Sequence, residues 1–335
     1  MHEAGFYKKL ENNAVECGLC NHRCVIMPGK RGVCGVRENR KGTLYSLVYG
    51  RPCAIHVDPI EKKPLFHYHP GSSSYSVATM GCNFRCAWCQ NADISQAVGK
   101  EIEGFELTPE DLVADAVERK CDNIAYTYTE PTVFMEYALD CMEIAREKRL
   151  GNVFVSNGFM SGEAVDALIP VLDAINIDLK GFNERFYEKY CGGRLQPILD
   201  NIEKFWKNGV WVEVTTLIVP TLNDSLDELR ACAKFLAELD VNIPWHISRF
   251  HPDYKLTNVE ATPVETLRKA YEIGKKEGLK HIYIGNIWHE NAENTYCPKC
   301  GKMMVERDGY YVKSNKLKKG KCGECGEKIE GRWNG

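Results

Sequence analysis

The sequence predicts an α/β protein built round a partial (βα)6 TIM-type barrel. A cysteine-rich N-terminal extension and a small C-terminal zinc-ribbon or rubredoxin-like module flank it. Three observations carry this. Short β-rich runs alternate with helical segments from Ser74 to about Ile284, polar and cysteine residues gather just after the β-rich runs, and cysteine-dense stretches lie on either side. Strands alternating with long helices imply βαβ units, right-handed crossovers and a parallel sheet.

The strands are expected at SYSVATM (74–80), NIAYTY (123–128), NVFV (152–155), INIDL (175–179), WVEVTTLIV (211–219), PWHIS (244–248) and HIYI (281–284). Between them, TPEDLVADAVER carries a helix start with Thr108 as N-cap, Pro109 at N1 and Asp111 at N3. Thr262-Pro263-Val264-Glu265 repeats that device before LRKAYEIGKKEG. NDSLDELRACAKFLAELD is amphipathic, with Leu226, Leu229, Cys232, Ala233, Leu236 and Leu239 on one stripe. Six or seven units are too many for a short doubly wound sheet and too few for the eight-unit barrel. The ligand site is then expected at the C-terminal ends of the strands.

Three domains follow: a cysteine-rich region over 1–73, the barrel over 74–291 and a four-cysteine module over 292–335. The first should hold a hairpin around GTLYSLVYGRPCAIHVD. A net charge of −3 over 335 residues argues against holding nucleic acid or anionic membrane by bulk electrostatics. No apolar run is long enough for a membrane span, and MHEAGFYKKLENN does not read as a secretory signal. A cytoplasmic protein is therefore expected, in a compartment where clustered thiols bind metal more often than they pair.

Eleven of the 16 cysteines fall into three groups. Cys82, Cys86 and Cys89 follow the first barrel strand in GCNFRCAWCQN, spaced C-x3-C-x2-C. Three thiolates on one loop can hold three irons of a 4Fe-4S cluster and leave the fourth open. The alternative is zinc with a remote fourth ligand, although zinc loops more often use C-x2-C pairs. Cys297, Cys300, Cys322 and Cys325 form two C-x2-C knuckles with 21 residues between them, a closed tetrahedral site for zinc or iron. Cys17, Cys20, Cys24 and Cys34 can take zinc, which would fill all four positions, or a second iron–sulfur cluster; disulfides are the remaining reading. Cys53, Cys121, Cys141, Cys191 and Cys232 are expected to serve packing.

CNFRCAWC resembles the cluster loop of the radical S-adenosylmethionine (SAM) superfamily, including the aromatic Trp88 before the last cysteine. With CGLCNHRC, DPIEKKPLFHYHPGS, YTYTEPT, SNGF and NIDLKG, nearly the whole chain resembles relatives of pyruvate formate-lyase activating enzyme. Within them it resembles the AmmeMemoRadiSam group, named for its association with Memo-like and AMMECR1-like proteins. The resemblance implies reductive cleavage of SAM to methionine and a 5′-deoxyadenosyl radical, an external electron donor, and a substrate that loses hydrogen. That substrate is a glycine of a partner enzyme, a small molecule or another macromolecule. A non-catalytic iron–sulfur or zinc protein serving electron transfer or assembly is the rival class.

The same resemblance marks SAM-binding positions. Glu130 stands where the family has the Glu of its GGEP-type motif, with Tyr128 and Thr129 in place of the two glycines. Ser156 and Asn157 match the D-T-N-G turn, with Val155 in place of its Asp. Asp178 and Lys180 match the D-L-K motif, Lys180 toward the SAM carboxylate. His246 in PWHIS matches a P-x-H motif whose His approaches the ribose. No residue is assigned as an acid, base or nucleophile.

Overall fold

A computed structural model describes residues 1–287 and 292–333. The expected domain ends at 291 and 335 fall outside the described residues. All seven β-rich runs form strands, and all seven are parallel. They are β2 (Ser73–Thr79), β3 (Asn123–Tyr126), β4 (Gly151–Ser156), β5 (Ala174–Asp178), β6 (Trp211–Ile218), β7 (Trp245–Arg249) and β8 (Ile282–Gly285). An eighth strand, β1 (Pro52–Pro59), pairs antiparallel with β2 at one edge, and the neighbour order follows the chain from β1 to β8.

Strands buried on both faces read as continuous Val/Ile-rich runs, and β6 shows this except at Glu213 and its threonines. Six helices make the crossovers: α1 (Pro109–Glu118), α2 (Met135–Glu147), α3 (Gly162–Leu168), α4 (Gln196–Lys207), α5 (Leu226–Leu239) and α6 (Val264–Lys276). The Thr108 hydroxyl accepts the Asp111 N–H at 3.1 Å, the expected cap of α1. Among the described residues no helix is long and apolar enough to cross a membrane.

Three expectations are corrected. The hairpin within 42–58 is absent, because each half has another partner. Thr43–Ser46 pairs with Arg37–Arg40, while Pro52–Pro59 is taken by the barrel edge. Thr262 does not cap α6: Pro263 holds that position without a side-chain bond, and the Thr262 hydroxyl serves Ile218 O and the Phe250 N–H instead. Leu226 opens α5 half-exposed, so the apolar stripe begins at Leu229.

The segment after β1 seals the N-terminal end of the barrel. Ile60, Leu65 and Tyr68 pack on Ala125, Val153, Ala174 and Trp211, which lie low on their strands. Glu213 accepts the Phe66 N–H at 3.0 Å and the His67 N–H at 2.7 Å, so the buried backbone there is paired. His67 bonds Tyr283 on the far edge strand at 2.6 Å, bridging the gap between β1 and β8.

The C-terminal hairpin β9 (Met303–Asp308) and β10 (Tyr311–Asn315) packs on the same segment. Arg307 and Glu61 meet at 3.4 Å with both side chains fully buried. Arg307 also donates to Phe66 O at 2.8 Å and lies 4.2 Å over the Phe66 ring. At the other end, the N-terminal sheets share one core with the barrel. Both Glu136 oxygens, on α2, accept from Arg37 at 2.9 Å.

Candidate active site

Sealing one end leaves the other open. At the C-terminal strand ends lies a cavity of about 520 Å³ lined by Cys82, Cys86, Cys89, Glu130, Ser156, Asn157, Asp178 and Lys180. Four consecutive strands thus bring together eight residues singled out in the sequence.

The thiol loop leaves β2 through Gly81, whose φ is +104°. A Cβ there would stand 2.6 Å from Val36 Cγ1, so only glycine passes between barrel and N-terminal region. The loop is then strapped to segment 186–191. The Arg85 N–H donates to Cys191 O at 2.7 Å, and Trp88 stacks on Phe186 with centroids 5.5 Å apart. Cys82 Sγ accepts the Phe84 N–H at 3.3 Å, and Cys89 Sγ meets Ser95 Oγ at 3.1 Å.

Burial pushes the Cys82 and Cys89 thiols up, while the neighbouring Cys191 thiol draws Cys86 down. Ionised sulfurs at Cys82 and Cys89 therefore need a cationic centre beside them. Among the described residues, the one His/Cys/Asp/Glu group whose ligand atoms all lie within 4.8 Å is Cys297, Cys300, Cys322 and Cys325. The barrel thiols are spread wider than one ion requires and face open space. That donor set fits a cubane with one iron free for another ligand.

Glu130 is buried at the start of a short turn, Pro131–Phe134. Its Oε1 accepts from the Thr132 N–H at 3.0 Å, the Thr132 hydroxyl at 2.5 Å and the Ser156 hydroxyl at 2.8 Å. Its Oε2 accepts the Asn157 N–H at 2.8 Å. Burial raises this carboxyl above the ordinary value, against the pull of those donors. Asn157 reaches Asn83 Oδ1 at 2.7 Å, tying the β4 turn to the thiol loop. Across the cavity Lys180 Nζ lies 2.8 Å from Asp178 Oδ2. Burial opposes the Lys180 charge, but Asp178 and the Cys86 and Cys191 thiols hold its pKa well above the ordinary lysine value.

Tyr128 adopts φ +62°, the left-handed backbone that glycine enters freely. The substitution of tyrosine for a motif glycine therefore leaves the backbone path intact. Its side chain is anchored instead: the hydroxyl bonds Asp58, and Asp58 also accepts Lys63 at 2.7 Å and Ser76 at 2.9 Å. Burial lowers the Lys63 ammonium to about 8 against the pull of Asp58. Sequence reasoning missed Asp58, Lys63 and Cys191; DPIEKKP drew attention as a string, but nothing in it shows that one of its lysines is buried.

His246 is not among the residues that line the cavity. Its Nε2 lies 2.7 Å from Glu213 Oε2 and its ring stacks on Tyr283. Thr215 pairs with His246 in the sheet, yet strand tilt carries Ser248, two residues on, to the mouth.

The outer groups also assemble. Cys297 Sγ and Cys325 Sγ are 3.6 Å apart, and Cys300 Sγ and Cys322 Sγ 3.7 Å, a closed four-sulfur metal site. The backbone N–H of Cys325 draws the Cys322 thiol down to about 7, against the effect of burial. Cys17, Cys20, Cys24 and Cys34 together line a second, enclosed cavity.

A family model of the Radical SAM superfamily matches residues 76–236, the stretch that supplies all eight cavity residues singled out in the sequence. The chain belongs to the radical SAM superfamily. Membership implies a 4Fe-4S cluster and SAM. A radical SAM chain of this length has a full-length relative: the protein is 49% identical to an uncharacterized protein of Methanocaldococcus jannaschii over 98% of this chain and 99% of that one. It is 24% identical to the pyruvate formate-lyase-activating enzyme of Clostridium pasteurianum, over 58% of this chain and 86% of the enzyme. A radical SAM methyltransferase from Sphaerobacter thermophilus shares the fold, with TM-score 0.51 and 16% identity over 70% of this chain and 71% of that one.

Proposed function

We propose that this chain is an oxidoreductase that cleaves SAM reductively and uses the resulting radical to take hydrogen from a glycine of a partner enzyme. The observation that carries the reading is the single cavity holding three spread thiols, a buried carboxylate and a lysine–aspartate pair. Cys82, Cys86 and Cys89 would hold a 4Fe-4S cluster, which would supply the electron for breaking the S–C5′ bond when reduced by an external one-electron donor.

The chain's own residues do the positioning. Glu130 presents Oε2, with one lone pair taken by Asn157, to the SAM ammonium. Ser156 and Thr132 donate to that carboxylate and oppose the effect of its burial. Lys180, aimed by Asp178, meets the SAM carboxylate. The segment 60–68 and the plugged barrel floor keep water from below.

The activase assignment is supported by the Clostridium relative, most of whose length is matched. Deuterium placed on the glycine α-carbons of a candidate partner enzyme tests it. Label entering 5′-deoxyadenosine, with a glycyl radical in the partner's EPR spectrum, is the expected result. Label arriving only from a small molecule would replace the activase by a small-molecule enzyme.

The C-terminal module is proposed to hold structural zinc. Tetrahedral Zn–S bonds place sulfurs about 3.8 Å apart, close to the 3.6 and 3.7 Å found here.

A further inference from the structure

The four N-terminal cysteines form a site unlike the C-terminal one. Cys17, Cys20, Cys24 and Cys34 line one enclosed cavity together with Arg37 and Thr132. A single tetrahedral ion needs its four sulfurs about 3.8 Å apart. The C-terminal four meet that spacing; among the described residues no other group of three or more does, so the N-terminal sulfurs stand wider. In this they match the barrel triplet.

A second observation points the same way. Arg37 lines this cavity and is 1% exposed. Its terminal nitrogens are used: Nη1 bonds Glu136, and Nη2 donates to Gly5 O at 2.7 Å. Its Nε is buried without a partner. A buried orphan donor asks for an acceptor that the protein does not supply. Sulfurs of an anionic cluster are such acceptors, and N–H bonds to them tune cluster potentials.

We infer that Cys17, Cys20, Cys24 and Cys34 bind a second, fully ligated 4Fe-4S cluster rather than zinc, with Arg37 Nε donating to one of its sulfurs. Thr132 lines this cavity and bonds Glu130, which lines the barrel cavity. The second cluster thus lies directly behind the wall of the first. The N-terminal cluster is inferred from its own site, and the two-cluster count and SAM response in its test rest on the function proposed for the barrel.

The test is iron, acid-labile sulfide and zinc content with Mössbauer spectra of the anaerobically reconstituted full chain. In the Cys82→Ala/Cys86→Ala/Cys89→Ala variant, half of the cubane iron and sulfide should remain. Adding Cys17→Ser, Cys20→Ser, Cys24→Ser and Cys34→Ser should remove it. The unmodified chain guards against misfolded variants: it should carry twice the sulfide of one cubane, and SAM should perturb the spectrum of only half its iron. An Arg37→Met chain should keep the cluster but shift its midpoint potential. Complete loss of labile sulfide from the barrel triple variant, with the unmodified chain holding a single cubane, would overturn the proposal. So would zinc that disappears with the four N-terminal substitutions.

Discussion

The Glu130 carboxylate accepts the Asn157 N–H at 2.8 Å across the β3–β4 junction, and Asn157 in turn holds Asn83 on the thiol loop. One buried carboxylate is therefore shared between the cavity and the support of the loop that carries the cysteines. Glu130→Gln keeps the shape and removes the charge. Charge-assisted hydrogen bonds contribute about 1.5–3 kcal/mol, so SAM affinity should fall roughly tenfold to a hundredfold. Equilibrium dialysis on the reconstituted protein reads this, with iron content unchanged.

The buried Arg307–Glu61 pair gives a second prediction. Removing one partner of such a pair costs about 3–5 kcal/mol, because the other charge is left unpaired. Arg307→Met should lower thermal stability by that order. Arg307→Met with Glu61→Gln should recover part of the loss, since no lone charge remains. A double variant less stable than the single would refute this.

His281 makes folding acid-sensitive. Burial, with Lys275 and Lys280 nearby, lowers its pKa from 6.5 to about 3, so it stays neutral in the fold. The unfolded chain binds the extra proton between those values, so stability rises with pH across that window and is lost as pH falls through it. The loss is about 1.4 kcal/mol per pH unit below the upper value. His281→Phe should narrow the difference in unfolding free energy between pH 7.5 and 5.5 by about that amount.

The C-terminal site predicts a separable metal. A strong chelator with a thiol-blocking reagent should release one zinc per chain, and Cys300→Ser should abolish that signal. Labile sulfide should stay constant in the Cys300→Ser chain, because Cys300 groups with Cys297, Cys322 and Cys325 and not with the barrel thiols.

Periodicity made the barrel legible: β-branched runs at regular spacing, separated by capped helices, fix a parallel sheet by local rules. The cysteine groups were legible because ligand spacing is a local property. The Glu213–His246 contact was not legible, because depth in a barrel depends on strand tilt, which no single strand encodes. Asp58, Lys63 and Cys191 were missed for a related reason. Their proximity to the cavity arises from contacts such as Asp58–Tyr128 and Arg85–Cys191, between residues 70 and 106 positions apart. The unpartnered Arg37 Nε is likewise a fact of three-dimensional packing alone.

Cys82, Cys86 and Cys89 on one loop would hold the cluster that takes SAM beside Glu130 and Lys180. Anaerobic incubation of the reconstituted chain with SAM and dithionite, followed by quantification of 5′-deoxyadenosine, tests it most directly. Multiple turnovers, abolished by Cys86→Ala and slowed by at least tenfold in Lys180→Met, are expected. A fully iron-loaded chain that releases no 5′-deoxyadenosine, or one whose yield survives loss of Cys86, would contradict it.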